Sequence, residues 1–274
     1  MKSNLSAVII AKNEGQMLEA CLDTLSFCQN IIVLDTGSTD RTGKIAEHYG
    51  CKVVSFSHES FAKLREKAAS LVETDWLFYI DADERVTPAL AKEILLHIEQ
   101  DDVRAMTINR ENVCYGQRFA YGNWQNDLVT RVFHKTALLG WQGEIHESPI
   151  FTGEALRLQH KMLHLTHRNT RDNLRKSADW TIKEAKALEA ATVRKISLPL
   201  ILRKGVMEFY RRAFKHQGYK DGMAGLIEAL VQAMNRMIVY IQVWELQQKP
   251  SLQARYEKEE QAIKKLWREE GKLR

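Results

Sequence analysis

Trp76–Val86 reads WLFYIDADERV, and this stretch decides the fold. Trp76–Ile80 is apolar without alternation, as a strand buried on both faces is. The run stops at Asp81-Ala82-Asp83-Glu84, so carboxylates emerge where the strand ends. Two carboxylates flanking one small residue can share a divalent cation, and hard oxygen ligands suit Mg2+ or Mn2+. A solvated acidic turn is the plain alternative. The apolar strand directly before the triplet favours the ligand reading.

Upstream, the same alternation repeats. Leu5–Ala11 is a buried-strand pattern, and Gly15–Phe27 carries Met17, Leu18, Cys21, Leu22 and Leu25 at helical spacing. Ile31–Leu34 is a second strand, ending at Asp35-Thr36-Gly37-Ser38-Thr39-Asp40, which is turn and capping chemistry. Helices are expected over Arg41–Tyr49, Phe61–Val72 and Ala89–Glu99, the last started by Pro88, with a strand at Lys52–Phe56. Strands alternating with helices over short connections imply parallel βαβ units, an α/β fold. Ligands bind such sheets at the carboxyl ends of the strands. Asn13-Glu14, Asp35–Asp40 and Asp81–Glu84 all fall there.

Beyond residue 103 the pattern loosens. Val103–Asn109 and Leu128–His134 read as strands and Tyr115–Asn126 as a loop. From Arg171 the chain is helical and basic, with a long apolar-periodic helix at Gly222–Gln248 and a charged one at Leu252–Leu273. Residues 1–110 hold 12 Lys and Arg against 17 Asp and Glu, a net of −5, so the remainder carries +10 of the chain's +5. The basic segment Arg203–Lys220 interleaves Phe209, Tyr210 and Phe214. It reads either as a solvated helix face or as a surface for an anionic membrane. No nucleic-acid-binding module accompanies the charge. No stretch is expected to approach the ~20 apolar residues of a spanning helix. Cys21, Cys28, Cys51 and Cys114 have neither zinc nor Cys-x-x-Cys spacing and read as reduced thiols.

SAVIIAKNE (Ser6–Glu14), VLDTGSTDRT (Val33–Thr42) and WLFYIDADERV together resemble the nucleotide-binding half of glycosyltransferase family 2, with the GT-A fold. WQGEIHES (Trp141–Ser148), LHLTHRNT (Leu163–Thr170) and HQGYKDGMAG (His216–Gly225) are most similar to bacterial lipopolysaccharide inner-core β-1,4-glucosyltransferases of the WaaE/KdtX type. The resemblance implies a Rossmann-like, mostly parallel mixed sheet flanked by helices. It implies a GT-A domain over 1–170, with a nucleotide-sugar half (1–110) and an acceptor half (111–170), and a helical basic extension over 171–274.

The site residues follow from the same resemblance. Asp35 would bind the uracil of a UDP-sugar, with Asn13 and Glu14 in the same layer. Arg65 would lie near the nucleotide; Glu66 after it departs from the asparagine common in relatives, and Thr36 from a second aspartate. Asp81 would contact ribose or sugar, and Asp83 the metal. An inverting transfer needs a carboxylate base near the acceptor hydroxyl. Glu147 holds the more family-typical position in I-H-E, and Glu144 is the alternative. His146 would orient a carboxylate, touch acceptor sugar, or be structural. His164 would be a metal ligand or a diphosphate contact, while His160 and His167 read as surface histidines. Trp124 and Trp141 would stack on acceptor sugar or fill core.

The function implied is metal-dependent transfer of a hexose, from UDP-glucose, to a heptose of the lipopolysaccharide inner core. The enzyme would work in the cytoplasm, peripheral at the anionic inner-membrane surface. Alternatives are a family-2 transferase with another donor or acceptor (polyprenyl phosphate or protein included) and a catalytically inactive nucleotide-sugar-binding protein.

Overall fold

A computed structural model describes residues 4–58, 60–143, 148–191 and 194–271. The chain divides into two compact units, Met1–Arg168 and Asn169–Arg274.

The first unit is built on a nine-stranded sheet. Its strands are β1 (Leu5–Ala11), β2 (Asn30–Asp35), β3 (Lys52–Ser55), β4 (Trp76–Tyr79), β5 (Glu84–Arg85), β6 (Ala105–Cys114), β7 (Gln117–Arg118), β8 (Asp127–His134) and β11 (Ala155–Leu165). They lie in the order β3-β2-β1-β4-β8-β6-β11-β5, with β7 paired to β6. Parallel pairing joins β3, β2, β1 and β4, and also β6 and β11. β8 is antiparallel to both β4 and β6, so it stitches two parallel sets that run the same way. The sheet is therefore mixed and mostly parallel. β9 (Leu138–Gln142) and β10 (Ser148–Phe151) form a separate hairpin.

Burial explains the unbroken apolar runs. In β1, Leu5, Ala7, Ile9 and Ala11 face a core that includes α1 (Leu18–Leu22), α2 (Thr42–His48) and α4 (Pro88–His97). Val8 faces the opposite core, beneath α3 (Phe61–Ser70). Both faces are covered, as parallel sheets require. α4 starts as expected: Pro88 opens its first turn, and Thr87 Oγ1 accepts from the Leu90 N–H at 3.2 Å.

α1 is five residues, far shorter than the helix expected over Gly15–Phe27. Beyond it the chain turns more tightly: the N–H groups of Thr24 and Leu25 donate to the Cys21 and Leu22 carbonyls, both at 3.0 Å, and Thr24 Oγ1 adds a bond to the Cys21 carbonyl at 2.8 Å. β11 escaped sequence reading because a bulge between Arg157 and Lys161 breaks its alternation. The Glu93 carboxylate fills that bulge, accepting from the N–H groups of Gln159 (2.7 Å) and His160 (2.9 Å).

The second unit contains α5 (Thr170–Ala191), α6 (Leu198–Tyr210), a π-turn (Arg211–Lys215), a 3-10 turn (Gly218–Asp221), α7 (Gly222–Leu246) and α8 (Leu252–Glu270). α5, α6 and α7 pack around Ala185, Leu200, Ile201, Val239 and Val243. Residues 218–246 are long and apolar enough, by length and composition, to cross a membrane, which corrects the expectation that no stretch approaches that length. One third of the most apolar window of this helix is buried inside the molecule, as in a bundle helix.

Candidate active site

Each strand-end motif sits at the carboxyl edge of the sheet. Asp35 closes β2 in register with Ala11 of β1. Its Oδ1 accepts from the N–H groups of Gly37 (3.0 Å) and Ser38 (2.8 Å), which folds the loop back over the strand end. Asn13, in the left-handed region at φ 57°, pins that loop. Its N–H donates to Ser38 Oγ at 2.9 Å, and its Oδ1 accepts from the Thr39 N–H at 2.8 Å. The Glu14 N–H donates to Thr42 Oγ1 at 2.9 Å. Asp40 accepts from the N–H groups of Gly15 (3.0 Å) and Thr42 (2.9 Å) in a turn just ahead of α2, whose N-cap position is Arg41 and not the expected Asp40. A Cβ on Gly15 would stand 2.9 Å from Asp40 Oδ2, so this approach needs glycine. Burial raises the Asp40 carboxyl, but the Thr42 and Gly15 hydrogen bonds outweigh it and hold the group below its usual range.

Around β4, β5, β6, β8 and β11 the side chains form one connected polar network. Arg131, with 6% of its side chain exposed, donates to Asp81 and, at 2.8 Å, to Glu84, whose side chain is fully buried. Glu84 Oε2 accepts from the Asp81 N–H at 2.9 Å. Arg110 reaches Glu84 at 3.2 Å and grips Asp127 through two bonds of 2.9 and 2.8 Å. Asn112 Nδ2 donates to Asp127 at 2.9 Å, and Asn112 Oδ1 meets His164 Nδ1 at 2.6 Å. His164 Nε2 then stands 3.7 Å from Asp83 Oδ2. Strand register sets this up: His164 pairs with both Asn112 and Glu84, and Arg110 with Asp127.

Burial raises the Asp81 carboxyl, but Arg131 and then Arg65 outweigh that, so it lies below its ordinary value. For Asp127, burial again acts upward, and the Arg110 bonds bring the net shift down. Burial dominates at Glu84 and pushes its carboxyl up, against the pull of Arg131.

The network fixes which His164 nitrogen faces Asn112 as a donor. Asn112 Nδ2 faces a carboxylate and the Trp124 carbonyl, both acceptors only, so it is the amide nitrogen. Asn112 Oδ1 therefore faces the imidazole, and His164 Nδ1 carries a proton. In the neutral ring, Nε2 presents its lone pair toward Asp83, the orientation that metal-bound histidines receive from a carbonyl partner. The 3.7 Å separation is too long for a hydrogen bond. With metal–ligand reaches of about 2.0–2.1 Å, it lies between the about 2.9 Å of neighbouring and the about 4.1 Å of opposite ligands in an octahedral site, so the pair would close slightly to share one Mg2+. Among the described residues no group of three His, Cys, Asp or Glu side chains is placed to hold a metal, so the candidate there is the pair Asp83 and His164.

Arg65 lies under β9, its guanidinium 4.5 Å from the Trp141 ring centre and 5.3 Å from that of Tyr79. Trp141 also packs edge-on against Tyr79 (5.2 Å) and Phe133 (6.1 Å), so its ring is engaged within the fold. Glu66 turns to Lys63 at 2.7 Å. Trp124 packs edge-on to His167 at 5.3 Å, and His167 is half-buried there, not a surface histidine. His160, exposed, pairs with Glu93 at 2.9 Å. Glu144, His146 and Glu147 lie outside the described residues.

Sequence reading missed Arg110, Asn112, Asp127 and Arg131. A signal was present at Arg131 alone: VTRVF sets one arginine in an otherwise apolar strand pattern, whereas in INREN Arg110 stands between Asn109 and Glu111. A charge inside a strand that is otherwise buried demands a partner.

A family model described as glycosyl transferase family 2 matches residues 6–159, more than half of the chain. The lipopolysaccharide core biosynthesis glycosyltransferase LpsC of Rhizobium meliloti is 25% identical over 93% of this chain and 96% of its own length. An uncharacterized glycosyltransferase of Rickettsia bellii is 24% identical over 90% of this chain and 88% of its own. A TPR repeat-containing protein of Synechococcus elongatus is 32% identical over 53% of this chain, which spans only 35% of that protein. Among solved structures, the glucosyl-3-phosphoglycerate synthase of Mycobacterium tuberculosis is similar at 21% identity and a TM-score of 0.35, over 40% of this chain and 44% of that one. The matched span takes in the Asp35 loop, the Asp81–Glu84 turn and the arginines that hold it, and on that match the chain belongs to glycosyl transferase family 2.

Proposed function

We propose that this glycosyltransferase moves glucose from UDP-glucose to a heptose of the lipopolysaccharide inner core, with inversion and with a divalent cation. The observation that carries the reading is the pair Asp83 and His164 at 3.7 Å, with His164 oriented by Asn112 and Asp127. Asp83 and His164 would hold Mg2+ or Mn2+, leaving further positions to diphosphate oxygens and water. The cation, when bound, offsets the charge that grows on departing UDP. Asp35, on a loop pinned by Asn13, would receive the N–H of the uracil. Asp81, braced by Arg131, would receive ribose or sugar hydroxyls, and Arg65 adds positive potential beside it.

Glu147, with Glu144 as the alternative, would accept the proton of the attacking hydroxyl. Trp124, beside Asn112, and His146 belong to the acceptor side of this reading; Trp141 supports Arg65. The kinship to LpsC, named for lipopolysaccharide core biosynthesis, supports the acceptor class. Such an acceptor is assembled at the cytoplasmic face of the inner membrane, which the basic second unit would meet as a peripheral surface. The test is UDP release from UDP-glucose with and without Mn2+, in the presence of a heptose-bearing core fragment. Release that needs both supports the reading; release with another nucleotide sugar alone replaces the donor.

A further inference from the structure

The second unit carries a cationic cavity beside an apolar row. α6 exposes Leu198, Leu202, Val206 and Tyr210, and the π-turn continues the row with Phe214. These residues are four apart, so they form one stripe along the helix. Val206 is 69% exposed and Tyr210 62%. Next to this stripe runs a second row, Lys204, Glu208, Arg211 and Lys215, also at helical spacing. It faces Arg236 and Tyr240 of α7 across a cavity of about 800 Å³.

The charges in that cavity are not equivalent. Arg211 and Arg212 both bind Glu208, at 2.6 and 2.7 Å. Arg236 is held by Glu184 at 2.6 Å. Lys204 rests its ammonium 5.4 Å from the Tyr240 ring centre. Among the described residues, no carboxylate stands within ion-pair distance of Lys204 or Lys215. Two cations without counter-ions therefore flank a cavity whose rim is apolar. Lys204 lies on α6 and Lys215 ends the π-turn; just beyond it, a Cβ on Gly225 would stand 2.0 Å from the Gly218 carbonyl oxygen, so the chain after Lys215 packs backbone to backbone. A π-turn at this point is itself a feature that concentrates at functional sites.

We propose that this face is a docking surface for anionic phospholipids, their phosphates at Lys204 and at Lys215, about 16 Å apart along the helix, and their chains along Val206, Tyr210 and Phe214. The proposal rests on the membrane-peripheral reading above and assigns the residues that carry it. Charge complementarity selects this occupant. A second copy would bring the same cations face to face, and a neutral apolar partner would leave them without counter-charge. Arg211 and Arg212, although in the most basic segment, are committed to Glu208 and act as its scaffold.

The experiment is sedimentation of the full chain with vesicles, of phosphatidylcholine alone and with one third phosphatidylglycerol. The variants are Lys204→Gln/Lys215→Gln and Val206→Ser/Tyr210→Ser. Each cation lost near an anionic surface weakens partitioning about fivefold, so the lysine pair should bind anionic vesicles about thirtyfold more weakly. The apolar pair should weaken binding as well, neutral vesicles should bind poorly, and millimolar inorganic phosphate should not displace the protein. Circular dichroism and UDP titration should be unchanged in both variants, because all four residues belong to the second unit and none to the proposed nucleotide site. Anionic binding that survives the lysine pair, equal binding to neutral vesicles, or displacement by phosphate overturns the proposal. So does concentration-dependent dimerisation abolished by Val206→Ser/Tyr210→Ser. Loss of UDP binding in the wild type would strike the proposed function and leave the vesicle result standing.

Discussion

Replacing Arg131 with methionine removes the guanidinium that joins Asp81 to Glu84. The side chain is almost fully buried, and Glu84 is completely so. The variant leaves Glu84 with Arg110 at 3.2 Å and the Asp81 N–H at 2.9 Å. Breaking a buried ion pair typically costs 3–5 kcal/mol, and the surviving Arg110 contact puts this case at the lower end, about 3 kcal/mol. Adding Glu84→Gln removes the stranded charge and should recover about half of that loss, a coupling of roughly 1.5 kcal/mol. Native-state hydrogen exchange in low urea, read on peptides from β4, β6 and β8, reports this unit separately from the helical one. Arg131→Met within 1 kcal/mol of wild type, with no recovery in the double variant, would refute the claim that these charges hold one another.

Four further outcomes are expected. Glu147→Gln should lower kcat by about 10²–10⁴-fold with UDP-sugar binding little changed; the same loss in Glu144→Gln instead reassigns the base. Asn112→Ala removes the carbonyl that orients His164, so Mn2+ affinity measured by electron paramagnetic resonance should fall about 10–100-fold, the usual cost of losing such a partner. Asp81 and Asp127 are held below their ordinary value of 3.8, so their stabilisation is complete above that pH and is lost as pH falls through the depressed values. Asp127→Asn should therefore flatten the acid limb of a stability profile below about pH 4. Burial pushes the Cys51 thiol up to about 11 and the Cys28 thiol to about 12. At pH 8 their thiolate fractions are then about 10⁻³ and 10⁻⁴, so a disulfide reagent should label Cys51 before Cys28, and both far faster in urea.

Much of this was legible in the chain. WLFYI and LSAVIIA read directly as β4 and β1 because a strand covered on both faces has no polar side to reveal. The carboxylates of DADE and the loop DTGSTD followed, since strand ends are where such sheets bind. β11 did not read, because the Glu93-filled bulge scrambles its alternation. The arginines did not read either, because their partners are distant in sequence: Arg131 lies fifty residues from Asp81, and only the β4–β8 pairing brings them together. Resemblance alone makes His164 a candidate metal ligand or diphosphate contact; what orients its ring is Asn112, fifty-two residues away.

In the proposed function, Asp83 and His164 hold a cation that in turn holds the diphosphate of the donor. Calorimetric titration of UDP into wild type and Asp83→Asn, each with Mn2+ and with chelator, tests it most directly. Wild type should bind UDP at least tenfold more tightly with Mn2+, and Asp83→Asn should bind weakly and equally in both conditions. Equal UDP affinity with Mn2+ and chelator in the wild type, or an unchanged Mn2+ effect in Asp83→Asn, would contradict it.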